Sequence, residues 1–249
     1  MYALLLTAAV LPPALLVGAL ARALATPATR TSIALAFACG AALLLPVYGL
    51  LDLHELLDVE LGTDPYPKGL YRGFVLASAP EELCRVLAVW AFAAWAAREQ
   101  PRPHASASAV VYGAAVMLGF ASLENCVYVH NRGWEVLSGR MLTALPFNAA
   151  LGVIAGACVG EALARGRGLL DVGRRLILAL GLVTALHGAY DAPLLILYET
   201  NHKASSGETV ALASVSYAVF GLTLLAALAL VRRARRQCVD QRRGSTTSA

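Results

Sequence analysis

Seven long apolar runs, separated by short polar segments, divide the chain. They lie at residues 2–21, 32–51, 72–97, 107–130, 141–163, 175–198 and 209–231. Each run is close to the ~20 residues that a helix needs to cross the hydrocarbon core of a bilayer. A chain in lipid has to satisfy its own backbone hydrogen bonds, so these runs predict helices. The pattern therefore predicts an all-α, polytopic transmembrane bundle of seven spans that forms one domain over residues 1–249.

Local patterns inside the spans predict how the helices bend and pack. Pro12-Pro13 and Pro46 predict kinks in the first and second spans, because proline removes a backbone donor and crowds the preceding turn. Gly152, Gly156 and Gly160 recur at four-residue intervals in the fifth span. Such a stripe of small residues allows another helix to approach closely, so it predicts a tight helix pair.

Composition and charge support a membrane protein. The chain is 58% hydrophobic and 14% charged, whereas a soluble domain carries about 25% charged residues. Its net charge of +4 comes from short loops and a basic tail at 232–249, so we expect no nucleic-acid partner. The five cysteines contain no C-x-x-C spacing and predict neither a disulfide framework nor a cysteine metal site. The first basic residue is Arg22, so no cleavable signal peptide is predicted.

The distribution of basic residues predicts an orientation. The first, third and fifth loops and the C-terminal tail hold 14 Lys and Arg residues, and the other three loops hold 5. The positive-inside rule then places the N-terminus outside and the C-terminus in the cytoplasm. The first outer loop, residues 52–61, has leucines on one face and acids on the other, which predicts a short amphipathic helix at the interface.

The third span carries adjacent carboxylates in the stretch Ala79-Pro80-Glu81-Glu82-Leu83-Cys84-Arg85. An ionisable group at membrane depth is costly unless it is paired or hydrated, so it is a functional hypothesis by default. Arg85 follows Glu81 by four residues and Glu82 by three, spacings at which helical side chains meet. A purely structural ion pair that fixes helix packing is the alternative interpretation of this group.

Further polar residues lie at a similar predicted depth on three other spans. At ~1.5 Å of rise per residue, each polar residue lies ~12 to ~18 Å below the outer end of its helix. The set comprises Glu81, Glu124, Asn148, His187 and Asp191. We expect these side chains to converge in the outer half of the membrane. Carboxylates around one histidine are suited to activating water, with or without a metal ion.

Three motifs in this order resemble the PrsW family of intramembrane proteases. They are Glu81-Glu82-x-x-Arg85, Phe120-x-x-x-Glu124-Asn125 and His187-x-x-x-Asp191. The resemblance covers about residues 71–193. The PrsW family belongs to the wider group that contains the CAAX prenyl endopeptidases and the bacteriocin self-immunity proteins.

The resemblance implies roles for these residues. Glu81 and Glu82 would be the catalytic acids that activate water, and His187 the essential histidine. Glu124 and Asp191, together with His187, would hold a divalent metal, with zinc as the candidate. The set of supporting residues implied by the resemblance is Arg85, Asn125 and Asn148.

The resemblance also implies a bacterial plasma membrane location and a substrate. The substrate would be a single-span membrane protein of the anti-sigma-factor type, cut near the outer face. One departure concerns Asn148, which stands where the family segment often has histidine, and asparagine is a poor zinc ligand. A non-cleaving pseudoprotease is therefore one alternative. A small transporter whose acids relay protons or bind a cation is another, although no inverted repeat favours it.

Overall fold

The computed structural model describes residues 2–26, 28–55, 62–100, 102–165, 168–200 and 204–246. These residues form helices and connecting turns, with no strand among them. The elements are α1 (Tyr2–Leu24), α2 (Arg30–Ala42), α3 (Leu44–Glu55), α4 (Pro65–Tyr71), a π-helical segment (Arg72–Ser78), α5 (Ala79–Glu99), α6 (Arg102–Arg132), α7 (Glu135–Leu142), α8 (Ala144–Arg165), α9 (Leu169–Glu199) and α10 (Ser206–Thr246). The predicted all-α polytopic bundle is confirmed.

Among the residues that the structure describes, five helical stretches are long and apolar enough to cross a membrane. They are Leu4–Leu24, Arg30–His54, His104–Arg132, Glu135–Arg165 and Ser206–Asp240. The two other predicted runs, 72–97 and 175–198, are helical as well and form most of α5 and α9. Both of these helices carry ionisable residues within the run, so the polar groups of interest concentrate on them.

The centre of the bundle is α6, which is buried along most of its length. Its fully buried side chains include Tyr112, Met117 and Phe120. The helices α1, α2, α5 and α8 pack around it. The outer helices α1 and α10 instead expose leucines such as Leu15 and Leu225, as expected for helices that face lipid. A polar side chain that points toward α6 is therefore removed from the lipid.

The predicted glycine stripe forms a tight contact between α8 and α6, which confirms that expectation. A Cβ atom added at Gly152 would overlap the backbone of Gly113 and Ala114. At Gly156 it would overlap the backbone of Ala109. The two helix backbones therefore approach so closely that no larger side chain fits between them.

Proline explains one of the breaks in the helices. The second predicted span is interrupted at Leu43, between α2 and α3, and Pro46 lies three residues further on. Pro46 cannot donate to the carbonyl of Ala42, which is the bond that would continue α2 into α3. The first span behaves differently, since α1 runs without interruption through Pro12 and Pro13.

Two predicted segments at the polar ends of spans have different outcomes. Of the amphipathic helix predicted at 52–61, residues 52–55 form the end of α3 and residues 56–61 lie outside the described part of the chain. The basic tail does not begin as a separate segment. The backbone of α10 instead remains helical up to Thr246, well past the predicted end of the seventh span.

Candidate active site

A π-helical segment directly before α5 positions the paired glutamates. The π-helical segment Arg72–Ser78 runs directly into α5, and the Ser78 hydroxyl donates to the Gly73 carbonyl at 2.6 Å. Gly73 packs on the backbone of Ala192 in α9, where an added Cβ would overlap it. Short π-helical segments frequently occur at functional sites. Here the segment brings the start of α5, with Glu81 and Glu82, against the part of α9 next to Asp191.

Arg85 is the hub of the polar cluster and has no exposed side-chain surface. Its Nη1 atom donates to Glu82 Oε1 at 2.9 Å and to Asn148 Oδ1 at 3.1 Å. Its Nη2 atom donates to Glu81. The guanidinium also lies 3.8 Å from the ring centroid of Phe120, a cation–π contact. The predicted pairing of Arg85 with both glutamates is confirmed.

His187 links α9 to the same cluster. Its Nδ1 atom is 2.9 Å from Glu82 Oε1, and its Nε2 atom is 3.2 Å from Asp191 Oδ2. The four-residue spacing does place His187 and Asp191 on one face of the helix, as predicted. The imidazole is nearly buried, with the ring of Phe147 against its edge at 6.2 Å between centroids. Each ring nitrogen therefore faces a carboxylate oxygen, which fixes the orientation of the ring.

Arg140 holds the polar pair on α6. Its guanidinium donates to Glu124 and to Asn125, each at 2.5 Å, and stacks 3.8 Å from the ring centroid of Tyr128. Arg140 is one of the basic loop residues that predict the orientation, and the sequence pattern does not predict its contacts with Glu124 and Asn125. Gly133, at a φ of +85°, turns the chain between α6 and α7, and α7 then carries Arg140 back toward Glu124. No sequence spacing links residues joined through such a turn.

A cavity of about 770 Å³ lies between these helices. The predicted site residues that line it are Glu81, Glu124, Asn148, His187 and Asp191. The other three, Glu82, Arg85 and Asn125, are fully buried. The wall also contains Phe147 and Tyr190, whose stacked rings are 4.2 Å apart and were not singled out from the sequence. The arrangement can bring water and a polar substrate group to a carboxylate, an amide and an imidazole.

The candidate metal ligands do not form a three-residue ligand group as the structure arranges them. No such group of His, Cys, Asp or Glu side chains occurs among the residues that the structure describes. Of the three ligands that the sequence predicts, His187 and Asp191 are adjacent, whereas Glu124 is paired with Arg140. The residues therefore do not fit a metal in this arrangement, and the chemistry below is derived from the chain's own groups.

Comparison with known proteins identifies the family. A family model described as "PrsW family intramembrane metalloprotease" matches residues 28–230. The chain belongs to the PrsW family. PrsW proteins are intramembrane proteases and multi-pass bacterial membrane proteins. The family description supports a metal cofactor, and a membrane-embedded protease implies the lipid bilayer and membrane-protein substrates as partners.

Three relatives, each called "Protease PrsW", are similar to this chain. The protein of Halalkalibacterium halodurans is 32% identical over 160 residues, which cover 64% of this chain and 68% of the relative. The Bacillus subtilis protein is 43% identical over 84 residues, or 33% of this chain and 37% of the relative. The Shouchella clausii protein is 27% identical over 157 residues, or 62% of this chain and 66% of the relative. No solved structure matches the chain significantly.

Proposed function

We propose that this PrsW-family chain is an endopeptidase that hydrolyses peptide bonds of membrane-anchored proteins within the cavity described above. The observation that carries the proposal is the shared cavity. There Glu81, Asn148 and His187, from three different helices, line one space inside the bundle. The carboxylate and the amide supply a base and a donor for a developing oxyanion, and the imidazole fixes the carboxylates that it contacts.

The two glutamates take different roles in this proposal. Glu81 lines the cavity, and its side chain retains 15% of its exposure, so it can reach a water molecule there. Glu82 is fully buried, and its Oε1 atom accepts from Arg85 and lies against His187. We therefore assign Glu81 as the base and Glu82 as the residue that positions Arg85 and His187.

The proposed hydrolysis moves one proton through Glu81. The carboxylate takes a proton from water as the water oxygen bonds to the substrate carbonyl carbon. The same proton then passes to the leaving amine nitrogen as the carbon–nitrogen bond breaks. Asn148 uses one amide hydrogen on the carbonyl of Ala144, at 2.9 Å, and has a second one to donate. That second hydrogen supports the negative oxygen of the intermediate. His187, whose two ring nitrogens both face carboxylates, holds Glu82 and Asp191 in place.

The substrate we propose is a single-span membrane protein of the anti-sigma-factor type. The proposed orientation, with the N-terminus outside and the C-terminus in the cytoplasm, follows from the loop charges. It places the cavity in the outer half of the membrane. Cleavage there would release the outer part of the substrate near the membrane surface.

The test uses purified full-length protein in lipid vesicles with candidate single-span substrates. We expect Glu81→Gln to lower the cleavage rate by about 100-fold or more, because general acid–base catalysis contributes about 10²–10⁴-fold. His187→Ala should lower it as well, because Glu82 and Asp191 lose the ring that both contact. Glu99→Gln is the matched control, because Glu99 is exposed at the far end of the same helix. Cleavage by Glu81→Gln at the wild-type rate would overturn the assignment of the base.

The cofactor needs a separate measurement. The family description supports a metal, and we propose zinc as the ion. His187, Asp191 and Glu124 are its first candidate ligands, and to bind zinc Glu124 would have to leave its ion pair with Arg140. Asn148 accepts a hydrogen bond from Arg85, and His187 contacts Glu82, which is paired with the same arginine. Asn148→His therefore adds an imidazole close to His187. If the site binds zinc, the Asn148→His variant should hold more zinc than the wild type, as measured by mass spectrometry of the metal content. Cleavage that is unchanged in chelator, but lost in Glu81→Gln, would reject the metal.

A second candidate function is that of a pseudoprotease that binds membrane segments without cutting them. Asn148 favours it, because asparagine stands where the family often has histidine and here accepts a hydrogen bond from Arg85. Substrate crosslinking measured in parallel with cleavage separates the two functions. If candidate substrates are crosslinked to the protein but none of them is cut, the result would support the pseudoprotease.

A further inference from the structure

An open groove lies between the first two helices, away from the candidate active site. Both α1 and α2 pack against α6, and they make few contacts with each other. The space between them has a volume of about 710 Å³. Its walls are mostly small or apolar side chains, including Val10, Ala14, Val17, Ile33 and Phe37. In a bilayer, hydrocarbon has to fill a lateral groove of this kind, since water there would face apolar walls.

Two arginines lie at one end of this groove. Arg22, near the end of α1, and Arg30, the first residue of α2, both line it, and both are exposed. Neither forms an ion pair within the part of the chain that the structure describes. The sequence contains no Asp or Glu before Asp52. The groove therefore combines apolar walls with two arginines that form no ion pair with any carboxylate in the described part of the chain.

We propose that this groove binds an anionic phospholipid. An acyl chain would lie between α1 and α2, and the headgroup phosphate would accept hydrogen bonds from Arg22 and Arg30. A guanidinium group can donate two parallel hydrogen bonds to phosphate oxygens. A zwitterionic headgroup should bind the arginines more weakly, because its own cation competes for the phosphate. The proposal does not depend on the proposed protease activity, since none of the lining residues belongs to the candidate active site.

The first experiment measures lipid binding to the full-length protein by native mass spectrometry in detergent. Phosphatidylglycerol and phosphatidylcholine with identical acyl chains are compared, with inorganic phosphate as a separate competitor. We expect the double variant Arg22→Gln with Arg30→Gln to weaken phosphatidylglycerol binding about 25-fold, at about fivefold for each arginine. Arg98→Gln is the matched control, because Arg98 is also exposed and lies at the end of α5 that is proposed to face the cytoplasm.

The second experiment fills the groove without changing its charge. Gly18 lines the groove, and an added Cβ would meet nothing within 4 Å, so the leucine of Gly18→Leu starts from an open position. It should reduce phosphatidylglycerol binding, whereas Gly221→Leu, at an equally open position on α10, should not. Equal binding of the two lipids, no loss in either groove variant, or full competition by inorganic phosphate would overturn the proposal. So would a second copy of the chain occupying the groove in crosslinking.

Discussion

Arg85 decides whether the polar cluster can exist inside the bundle. Removing a carboxylate or a guanidinium from water costs several kcal/mol unless good partners replace the water. Arg85 offers one guanidinium to Glu81, Glu82 and Asn148, and the ring of Phe120 covers its face. This geometry suits arginine, because a planar fork can serve several acceptors at once. The structural interpretation of the ion pair and the functional one are therefore compatible.

Replacing Arg85 should destabilise the protein strongly. We expect Arg85→Gln to lower the free energy of unfolding by ~3–5 kcal/mol, because two carboxylates lose their cation in a buried place. The measurement is the thermal unfolding midpoint in detergent, with Arg98→Gln as the exposed control on the same helix. Arg85→Lys should be milder, because it keeps the charge. A midpoint for Arg85→Gln equal to that of the control would show that the glutamates find other partners.

The sequence predicted contacts within a helix and missed contacts between helices. Glu81 with Arg85 and His187 with Asp191 follow from a spacing of four residues on one helix. The contact between Glu82 and His187 spans 105 residues, and it depends on how α5 meets α9. The rise per residue predicted that polar residues of α5 and α9 lie at a similar depth, but it did not predict which atoms are in contact. Long-range partners require the packing of the bundle, which periodicity does not encode.

At the scale of elements, the contact between α6 and α8 orders the bundle. It combines glycine positions on both helices, so the backbones meet without side chains between them. Close packing of this kind gains van der Waals contact, which drives helix association in lipid. It also aligns Asn148 on α8 with Phe120 on α6, and both residues contact Arg85. The packing of these helices therefore builds one wall of the site.

A larger residue at this contact should separate the two helices. We expect Gly156→Leu to lower the free energy of unfolding by at least ~2 kcal/mol, because its side chain would overlap the backbone of Ala109. The variant should also lose cleavage as Asn148 moves away from Arg85. Gly221→Leu adds the same side chain at an open position and serves as the control. Wild-type unfolding of Gly156→Leu, measured by circular dichroism in detergent, would contradict this packing.

The sequence predicted the existence of helices better than their internal irregularities. All seven apolar runs are helical, because a run of that length has few other structures in a bilayer. The break at Leu43 was expected from Pro46, although the exact position was not. The π-helical segment Arg72–Ser78 and the short helix α7 were not predicted. Hydrophobic runs indicate burial, whereas these features depend on local hydrogen-bond register and on turns such as that at Gly133.

At the scale of the whole molecule, polar groups are separated by location. The candidate active site gathers acids and their cationic partners inside the bundle, between α5, α6, α8 and α9. The proposed lipid groove between α1 and α2 instead has two arginines at its rim that form no ion pair with the described residues. In the proposed orientation these two regions face opposite sides of the membrane. A lipid bound beside α1 and α2 would act on the site through α6, against which both helices pack, or through the direct contact between α2 and α5.

The orientation itself is the last prediction, because it decides from which side a substrate is cut. The imbalance of 14 basic residues against 5 predicts that a reporter fused after Arg243 reads as cytoplasmic. A reporter inserted between Thr63 and Asp64 should read as external, and it leaves intact the cap that Asp64 forms on the Tyr66 amide of α4. Alkaline phosphatase and a fluorescent protein, tested at both positions, give opposite signals and control for expression.

An external C-terminus would move the cavity to the inner half of the membrane. The proposed substrate would then have to be cut near the cytoplasm, and Arg22 and Arg30 would face the outer leaflet.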